Sequence, residues 1–454
     1  MAKAKAAPAA NVQLLTDSLL ASVTQRLGKA KTIGAFNVGV SIANDVGIQF
    51  PALCLRYLFQ ISALPLSRML QVAGEEGSAK SAFVTEVSRW GLESSGLYFL
   101  AENENKDTRN LRSSIYGWNP VSLSRVIDSP TTSLQEWQRF LTAAMQNAAK
   151  TQLLAEGPGR TVPVFFAVDS LMGTSPEEEQ LKIATTGAAS KGFADAANLI
   201  ARWLRSTPKM LADFPFLLLA TNHAKPGTDA MGHQITNVPG GKGFKFMETF
   251  ELHLKRVGDI RKKSAQGLRV KFKMVKNSSG PGRCTIEANL LWKMVSDENG
   301  QARQYSAWDW HTASIDLLMS FDSEPYKRDA IRDITGIQVK EKDRAKQLAY
   351  STILGVPQSD PVPYYQMSQI LEERPDVLKE LYKVLHISTC PVFQVGKDYL
   401  EQRQEASKRV AEVVATGYAR RDLLPLMIGD EIETEPGSFT EPGSSEENKG
   451  AVDE

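Results

Sequence analysis

The sequence predicts an α/β fold that is followed by a separate helical C-terminal domain. Between residues 32 and 322, short apolar runs typical of strands alternate with longer amphipathic stretches typical of helices. From residue 323 to residue 427, apolar residues recur at helical spacing instead. Residues 1–31 form an N-terminal segment with a helical pattern, and residues 428–454 form an acidic tail whose composition favours disorder.

The same patterns locate the individual elements. Strands are predicted at Met69–Val72, Leu97–Ala101, Val164–Val168, Phe216–Thr221 and Glu251–Lys255. A hairpin is predicted from two further strands joined by a turn with Gly and Pro, namely Leu268–Val275 and Thr285–Trp292. Helices are predicted at Leu14–Lys29, Gly192–Arg205, Asp329–Ile334, Arg344–Ile353, Tyr365–Leu371, Val377–Val384 and Tyr399–Val414.

Composition and cysteine usage predict a cytoplasmic protein. The 454 residues are 42% hydrophobic and 23% charged, and no run approaches the roughly 20 apolar residues that span a bilayer. Met1–Ala10 lack the apolar core of a secretion signal. Cys54, Cys284 and Cys390 lie far apart without metal-type spacing, so we expect reduced thiols. Since no apolar run is long enough to span a bilayer, we expect no membrane partner.

Charge is distributed unevenly along the chain. The formal net charge is +1, but residues 430–454 contain nine acidic residues and one lysine, which leaves about +9 on the rest of the chain. A basic body with an acidic tail is typical of a nucleic-acid-binding protein that moderates its own affinity. A solubilising tail is an equally good interpretation of the charge alone.

A turn of small and charged residues joins the first predicted strand to a helical run. It consists of Gly74, Glu75, Glu76, Gly77, Ser78, Ala79, Lys80 and Ser81. A strand, such a turn and a helix form the context of a phosphate-binding P-loop, in which backbone N–H groups bind phosphate oxygens. Lys80 would reach the β- and γ-phosphates, and the Ser81 hydroxyl would bind Mg²⁺. Because Ala79 stands where the motif has glycine, an ordinary strand–turn–helix corner remains the alternative.

Two other predicted strands end in a carboxylate. Asp169 follows five apolar residues, which is typical of the Walker B acid that holds Mg²⁺ through water. Glu102 follows the strand Leu97–Ala101 and could polarise the water that attacks a γ-phosphate. The alternatives are a helix cap or turn residue for Asp169, and a solvent-exposed strand end beside Glu104 for Glu102.

In this order the stretches resemble the RecA family of recombinases, and its phage UvsX-type members in particular. The resemblance extends from Leu64 to Trp292, about half of the chain. Its motifs are Leu64–Met69, Ala101–Glu102, Val168–Ser170, Leu218–His223, Gly240–Phe246, Arg256–Gly258 and Arg269–Asn277. Bacterial RecA has Gly at the position of Ala79 and usually Gln at that of His223. UvsX-type proteins tolerate a larger residue before the lysine and use Asn-His.

The resemblance implies a RecA-type P-loop ATPase core that uses ATP and Mg²⁺. It implies an ATP-dependent recombinase that assembles as a helical homo-oligomeric filament on single-stranded DNA. This filament would exchange strands with homologous duplex DNA in recombination and repair. Residues 1–31 would then contain the polymerisation helix, and single-strand-binding and loader proteins would be partners. The expected location is the cytoplasm of a bacterium or of a phage-infected host cell.

The resemblance also implies roles for individual residues. Glu102 would be the general base that orients the hydrolytic water, Lys80 would bind the transferred phosphate, and Ser81 and Asp169 would hold Mg²⁺. His223 would sense the γ-phosphate, although a lone histidine at a strand end is more often structural. Lys245 would reach across the filament interface to the neighbour's ATP, the alternative being a solvated surface lysine.

Two segments would bind the DNA backbone. The second DNA-binding loop would be Ala224–Lys242, which is rich in Gly, Pro, Thr and Asn, with Lys225 and Lys242 as phosphate contacts. The first loop would lie in Gly173–Ser190, with Lys191 just beyond it as a weaker candidate. A basic cluster within residues 255–276 is either a further track for DNA or the exposed face of a hairpin.

Two other functions stay open from the sequence. Ala79 favours a filament or scaffold protein that binds nucleotide without hydrolysing it. A RecA-fold hexameric helicase would require an arginine finger from a neighbouring subunit, whereas Lys245 in that position favours the recombinase.

Overall fold

The structure is a computed structural model, and it describes most of residues 47–392. The described ranges are 47–94, 96–104, 108–116, 126–154, 163–171, 173, 175–186, 193–212, 215–228, 234–238, 248–261, 266–280, 283–296, 302–339 and 347–392. The predicted helices Leu14–Lys29 and Tyr399–Val414 and the acidic tail 428–454 lie outside them.

Fifteen strands and ten α-helices lie in the described ranges. The strands are β1 (Gly47–Gln49), β2 (Ala63–Pro65), β3 (Arg68–Gly74), β4 (Leu97–Glu102), β5 (Val126–Pro130), β6 (Val164–Asp169), β7 (Phe216–His223), β8 (Lys225–Thr228), β9 (Gln234–Asn237), β10 (Phe250–Arg261), β11 (Gln266–Asn277), β12 (Thr285–Ser296), β13 (Ala302–Trp308), β14 (Leu348–Ala349) and β15 (Val362–Pro363). The helices are α1 (Leu53–Phe59), α2 (Lys80–Glu93), α3 (Thr108–Tyr116), α4 (Leu134–Leu154), α5 (Glu177–Thr186), α6 (Phe193–Ala212), α7 (Trp310–Met319), α8 (Pro325–Thr335), α9 (Tyr364–Glu372) and α10 (Pro375–Val384). None of these helices has the length and apolarity needed to cross a membrane.

One nine-stranded sheet organises the molecule, in the order β13-β12-β11-β10-β3-β7-β6-β4-β5. Neighbours from β10 to β5 are parallel, whereas β10 to β13 form antiparallel pairs that include the predicted hairpin of β11 and β12. The prediction of an α/β fold is confirmed, with a large and mostly parallel central sheet. Because parallel strands place their carboxyl ends at the same edge, the ends of β3, β7, β6 and β4 come together.

The register aligns the polar residues that end these strands. Gly74 of β3 pairs with His223 of β7, and Glu102 of β4 pairs with Asp169 of β6. Side chains alternate between the two faces of a strand, and Phe165 belongs to the core beneath α2. Asp169, an even number of residues later, therefore faces α2 as well.

Helices cover both faces of the sheet. On one face, α2 and α7 pack against the strands through an aromatic cluster that comprises Phe83, Trp90, Phe272, Trp308 and Trp310. On the other face, α4 and α6 meet through Trp137 and Trp203, whose ring centroids are 5.0 Å apart. The first layer anchors α2, and hence the loop that precedes it, against the sheet edge.

Helices α8, α9 and α10 pack beside the sheet. They contribute Ile331, Leu371 and Leu381 to the same core as α1 and α7. The predicted helices at Asp329–Ile334, Tyr365–Leu371 and Val377–Val384 are confirmed. The separate C-terminal domain, residues 323–427, stays a prediction.

The prediction of a helix at Arg344–Ile353 is wrong over its described part. Leu348–Ala349 form β14, which pairs with β15, and Tyr350 exchanges two backbone hydrogen bonds with Gln338. A short apolar run is compatible with either a strand or a helix. Here the run is extended because it pairs with β15 and with Gln338.

The segment 224–242 also contains more structure than a loop. Strands β8 and β9 pair in antiparallel register, from Lys225 opposite Asn237 to Thr228 opposite Gln234. The polar composition of this segment predicted a loop without regular structure, but part of the segment forms a short antiparallel pair. The backbone N–H and C=O groups of two paired strands can bond to each other whether or not the side chains are apolar.

Candidate functional site

The loop between β3 and α2 has a backbone that requires glycine at its first position. A Cβ at Gly74 would lie 2.4 Å from the carbonyl oxygen of Leu254 and 2.4 Å from Oγ of Ser78. Gly77 has a φ of +71°, in the left-handed region that favours glycine. The Ser78 hydroxyl donates to the carbonyl of Glu75 at 2.7 Å and closes the turn. The loop therefore wraps tightly around the N-terminus of α2, where helical N–H groups favour an anion.

Ala79 occupies the position at which the loop departs from the P-loop pattern. Its φ and ψ are +65° and +29°, so the alanine adopts the left-handed conformation that glycine would supply without strain. An L-residue loses about 1–2 kcal/mol in this region. The turn forms nonetheless, and Ala79 becomes the N-cap residue of α2.

Replacing Ala79 by glycine is expected to raise the free energy of unfolding by up to about 1 kcal/mol. The substitution removes the left-handed strain, and part of the gain is lost because glycine makes the unfolded chain more flexible. Ala82, buried within α2, is the matched control, since glycine there should lower the free energy of unfolding by about 1 kcal/mol. Urea denaturation measures the free energy of unfolding of both variants. If Ala79→Gly were less stable than the wild type, Ala79 would not be strained.

Lys80 begins α2 and is held over the loop. Its Nζ donates to the carbonyls of Gly74 and Glu75 at 3.0 and 2.8 Å, and the residue is 8% exposed. A positive charge therefore lies beside the helix N-terminus, whose dipole has the same sign. Both features favour a bound anion.

Asp169 ends β6 beside the end of β7. It is buried, and its Oδ1 accepts a hydrogen bond from the Thr221 hydroxyl. This bond orients the carboxylate and leaves Oδ2 for a cation. Within the described ranges, no group of three or more His, Cys, Asp or Glu side chains could hold a metal ion. Mg²⁺ is commonly held by one or two carboxylates together with substrate phosphates and waters, and Asp169 with the hydroxyl of Ser81 fits that pattern.

Two carboxylates mark the end of β4. Glu102 pairs in register with Asp169, whereas Glu104 reaches β7, where its Oε1 lies 2.8 Å from Nε2 of His223. Among the described residues, Glu104 lines the adjoining cavity, whereas Glu102 is not one of the lining residues. His223 thus has a carboxylate partner, directly opposite Gly74.

A cavity of about 270 Å³ connects these groups. It is lined by Glu76, Gly77, Ser78, Ala79, Lys80, Ser81, Ala82, Glu104, Leu111, Asp169, His223, Leu268 and Leu290. The loop backbone and Lys80 suit phosphate groups, and Asp169 suits the metal ion that accompanies a polyphosphate. The structure therefore brings most of the predicted site residues to one place.

The sequence does not single out three polar side chains at this edge. Thr221 lies two residues before His223, so strand alternation would have placed both on one face. Asn103 and Glu104 follow the end of β4, where no periodicity applies. Their partners, Ser170 and His223, are found only through the fold.

The predicted DNA contacts are only partly described. Lys191, Lys242 and Lys245 lie outside the described residues. Lys225 begins β8, directly after the end of β7 at His223. The second predicted loop therefore starts at the edge that carries the cavity.

Within the described residues, part of the basic cluster lies on the outer face of β10 and β11. Lys255, Lys271 and Lys273 are exposed, and Lys255 is the register partner of Lys271. Arg269 is paired with Glu287 at 3.5 Å. These residues lie on the exposed side of antiparallel strands, as in the second interpretation given above. The exposed lysines make this face positively charged.

The loop 74–81 with Lys80, together with Asp169, Glu102 and Glu104, forms a single candidate site on the described part of the chain. Comparison of the chain with protein-family models and with curated proteins found no match.

Proposed function

We propose that this protein is an ATP-dependent DNA recombinase with a RecA-type P-loop core. It would form filaments on single-stranded DNA and promote homologous pairing and strand exchange. The observation that carries the proposal is the meeting of the loop 74–81 with Asp169, His223 and Glu102 at one edge of the sheet. These groups come from four separate strands, and a nucleoside triphosphate with its metal ion uses all of them.

Each residue has a defined task in this proposal. ATP bound with Mg²⁺ supplies a γ-phosphoryl group that water can attack. The N–H groups at the start of α2 and Nζ of Lys80 would bind and orient the phosphates. Ser81 and Asp169 would hold Mg²⁺, with Asp169 oriented by Thr221. Glu102, one strand further along, would orient the attacking water and accept its proton.

His223 would report the nucleotide state. It ends β7, between the phosphate loop and the segment 224–242. A γ-phosphate and the carboxylate of Glu104 are both anions and would compete for the imidazole. Exchange of one partner for the other would move the end of β7, and with it the DNA-binding segment that follows.

Both proposed DNA-binding segments begin at this edge. Segment 173–190 follows β6, and segment 224–242 follows β7. Contacts from Lys225, Lys242 and Lys191 to the phosphate backbone would be weakly sequence-selective and sensitive to salt. The charge of about +9 outside the acidic tail supports such binding.

Filament assembly is the part of the proposal that rests on the family resemblance. Residues 1–31 would bind the neighbouring subunit, and Lys245 would reach the neighbour's ATP. Single-strand-binding and loader proteins would regulate assembly in the cytoplasm.

ATP hydrolysis by the full-length protein, with and without single-stranded DNA, tests the proposal. We expect turnover that DNA stimulates, that Lys80→Ala abolishes, and that accompanies strand exchange between homologous DNA molecules. ATP binding without turnover would favour a structural nucleotide-binding filament. Turnover indifferent to DNA would contradict the DNA partners, and ring-shaped particles in micrographs would favour a hexameric helicase.

A further inference from the structure

Asn103 joins the ends of β4 and β6 through its side-chain amide. It is 6% exposed, its Nδ2 donates to the carbonyl of Ser170 at 2.5 Å, and its Oδ1 accepts from the N–H of Ser170 at 2.6 Å. Its own N–H donates to the carbonyl of Asp169 at 3.0 Å. The amide therefore pairs with both main-chain groups of one residue, as a further strand residue would.

This pairing, called here the Asn103 clamp, fixes the spacing of two carboxylates. Glu102 immediately precedes Asn103, and Asp169 immediately precedes Ser170. The hydrogen bonds between Asn103 and Ser170 therefore join the two strands one residue after Glu102 and Asp169. These are the residues proposed to orient water and to hold Mg²⁺. A buried amide with both of its polar atoms bonded has little freedom to shift.

The clamp also touches the segment that follows β6. A Cβ at Gly173 would lie 2.3 Å from Oδ1 of Asn103, closer than real side chains approach. The chain at Gly173 therefore packs directly against the amide. A displacement of the segment toward β4 would push Oδ1 away from the N–H of Ser170.

A second connection leads from the same segment to the same strand end. The N–H of Leu134, at the start of α4, donates to the carbonyl of Ser175 at 3.2 Å. The N–H of Thr131, three residues earlier, donates to the carbonyl of Glu102 at 2.8 Å. Gly173 and Ser175 are thus linked to the end of β4 from two sides.

We propose that Asn103 is a positioning residue that transmits the state of the segment beginning at Gly173 to the spacing of Glu102 and Asp169. This inference rests on the proposed function, in which that segment contains a DNA-binding loop and the two carboxylates act on ATP. DNA held by the segment sets the position of Gly173, and the amide passes this position to the strand ends. Asn103 is not among the residues that line the cavity.

A double-mutant cycle between Asn103→Ala and Gly173→Ala tests the coupling. Gly173→Ala leaves Asn103 in place and displaces its Oδ1, so DNA stimulation of ATP turnover should fall about tenfold. Asn103→Ala should cause a similar loss. In the Asn103→Ala background the collision is absent, and Gly173→Ala should then change the stimulation by less than about twofold. Binding of ATP should stay within about twofold of the wild type in each variant, because neither Asn103 nor Gly173 lines the cavity.

Amide hydrogen exchange provides a readout that does not depend on turnover. The N–H of Ser170 should exchange faster in either single variant, because its acceptor is displaced or removed. Gly258→Ala is the control, since nothing lies within 4 Å of a Cβ there and the substitution should leave both readouts unchanged.

The outcomes separate the two proposals. Wild-type turnover without DNA stimulation would overturn the proposed function and this coupling with it. Strong stimulation in the wild type that persists in both single variants would overturn the coupling alone. Additive losses in the double variant would also overturn it, because the two side chains would then act independently.

Discussion

Replacing Glu102 by glutamine is expected to lower DNA-stimulated ATP turnover by about 10²–10⁴-fold. The amide keeps the size of the side chain but cannot accept a proton from the attacking water. Glu102 is the register partner of Asp169, so the substituted atom lies one strand from the proposed Mg²⁺ ligand. Binding of ATP should stay within about twofold, because Glu102 lies outside the cavity lining. Steady-state turnover together with a fluorescent-nucleotide titration measures both quantities.

Glu104→Gln is the matched comparison for this prediction. Glu104 lies two residues further along and is bound to Nε2 of His223 at 2.8 Å. Its amide oxygen can still accept a hydrogen bond from the imidazole, so we expect turnover to fall less than in Glu102→Gln. If Glu104→Gln were inactive and Glu102→Gln active, the general base would be Glu104, which lines the cavity.

Replacing Glu86 by alanine is expected to lower the free energy of unfolding by about 3–5 kcal/mol. Glu86 is fully buried in α2 and accepts hydrogen bonds from Arg89, from Trp90 at 3.0 Å and from Trp310 at 3.3 Å. Burial lowers the pKa of Arg89, but the carboxylates of Glu86 and Glu93 outweigh it and hold this pKa above its ordinary value. Without Glu86, a buried guanidinium loses its principal partner and two indole N–H groups lose their acceptor. Urea denaturation measures the loss.

Glu93→Ala is the control, because it removes the other carboxylate of the same arginine. The Glu93 side chain is 50% exposed, and water can replace it, so the expected loss is below about 1 kcal/mol. A loss below about 1 kcal/mol for Glu86→Ala as well would show that the buried pair contributes little. Because α2 carries Lys80 at its start, the more severe variant should also bind ATP more weakly.

The central parallel strands could be predicted because burial on both faces requires a nearly continuous apolar sequence. Val164–Val168 is a continuous apolar run, as expected for a central strand covered by helices on both sides. The acid that ends this run, Asp169, could be assigned to the strand end for the same reason. The hairpin of β11 and β12 followed from its turn residues.

Edge and short strands could not be predicted in this way. Strand β5, Val126–Pro130, pairs on one side only, and its sequence includes Asp128, Ser129 and a proline. Apolar residues do not recur regularly in such a strand, because polar residues are tolerated at the edge of a sheet. The sequence pattern therefore does not reveal the strand. Leu348–Ala349 was wrongly predicted as helix because its partner, Val362–Pro363, lies outside any local window.

The sequence by itself determined that Glu102, Asp169 and His223 stand at the ends of central strands and that Lys80 follows the turn after the first predicted strand. Apolar runs and turn residues are local signals, and a strand end is visible wherever one gives way to the other. Only the tertiary structure decided that Glu104 binds His223, 119 positions away, and that Asn103 binds Ser170, 67 positions away. Such contacts depend on strand order and register, which are decided by the packing of the whole sheet between its two helical layers.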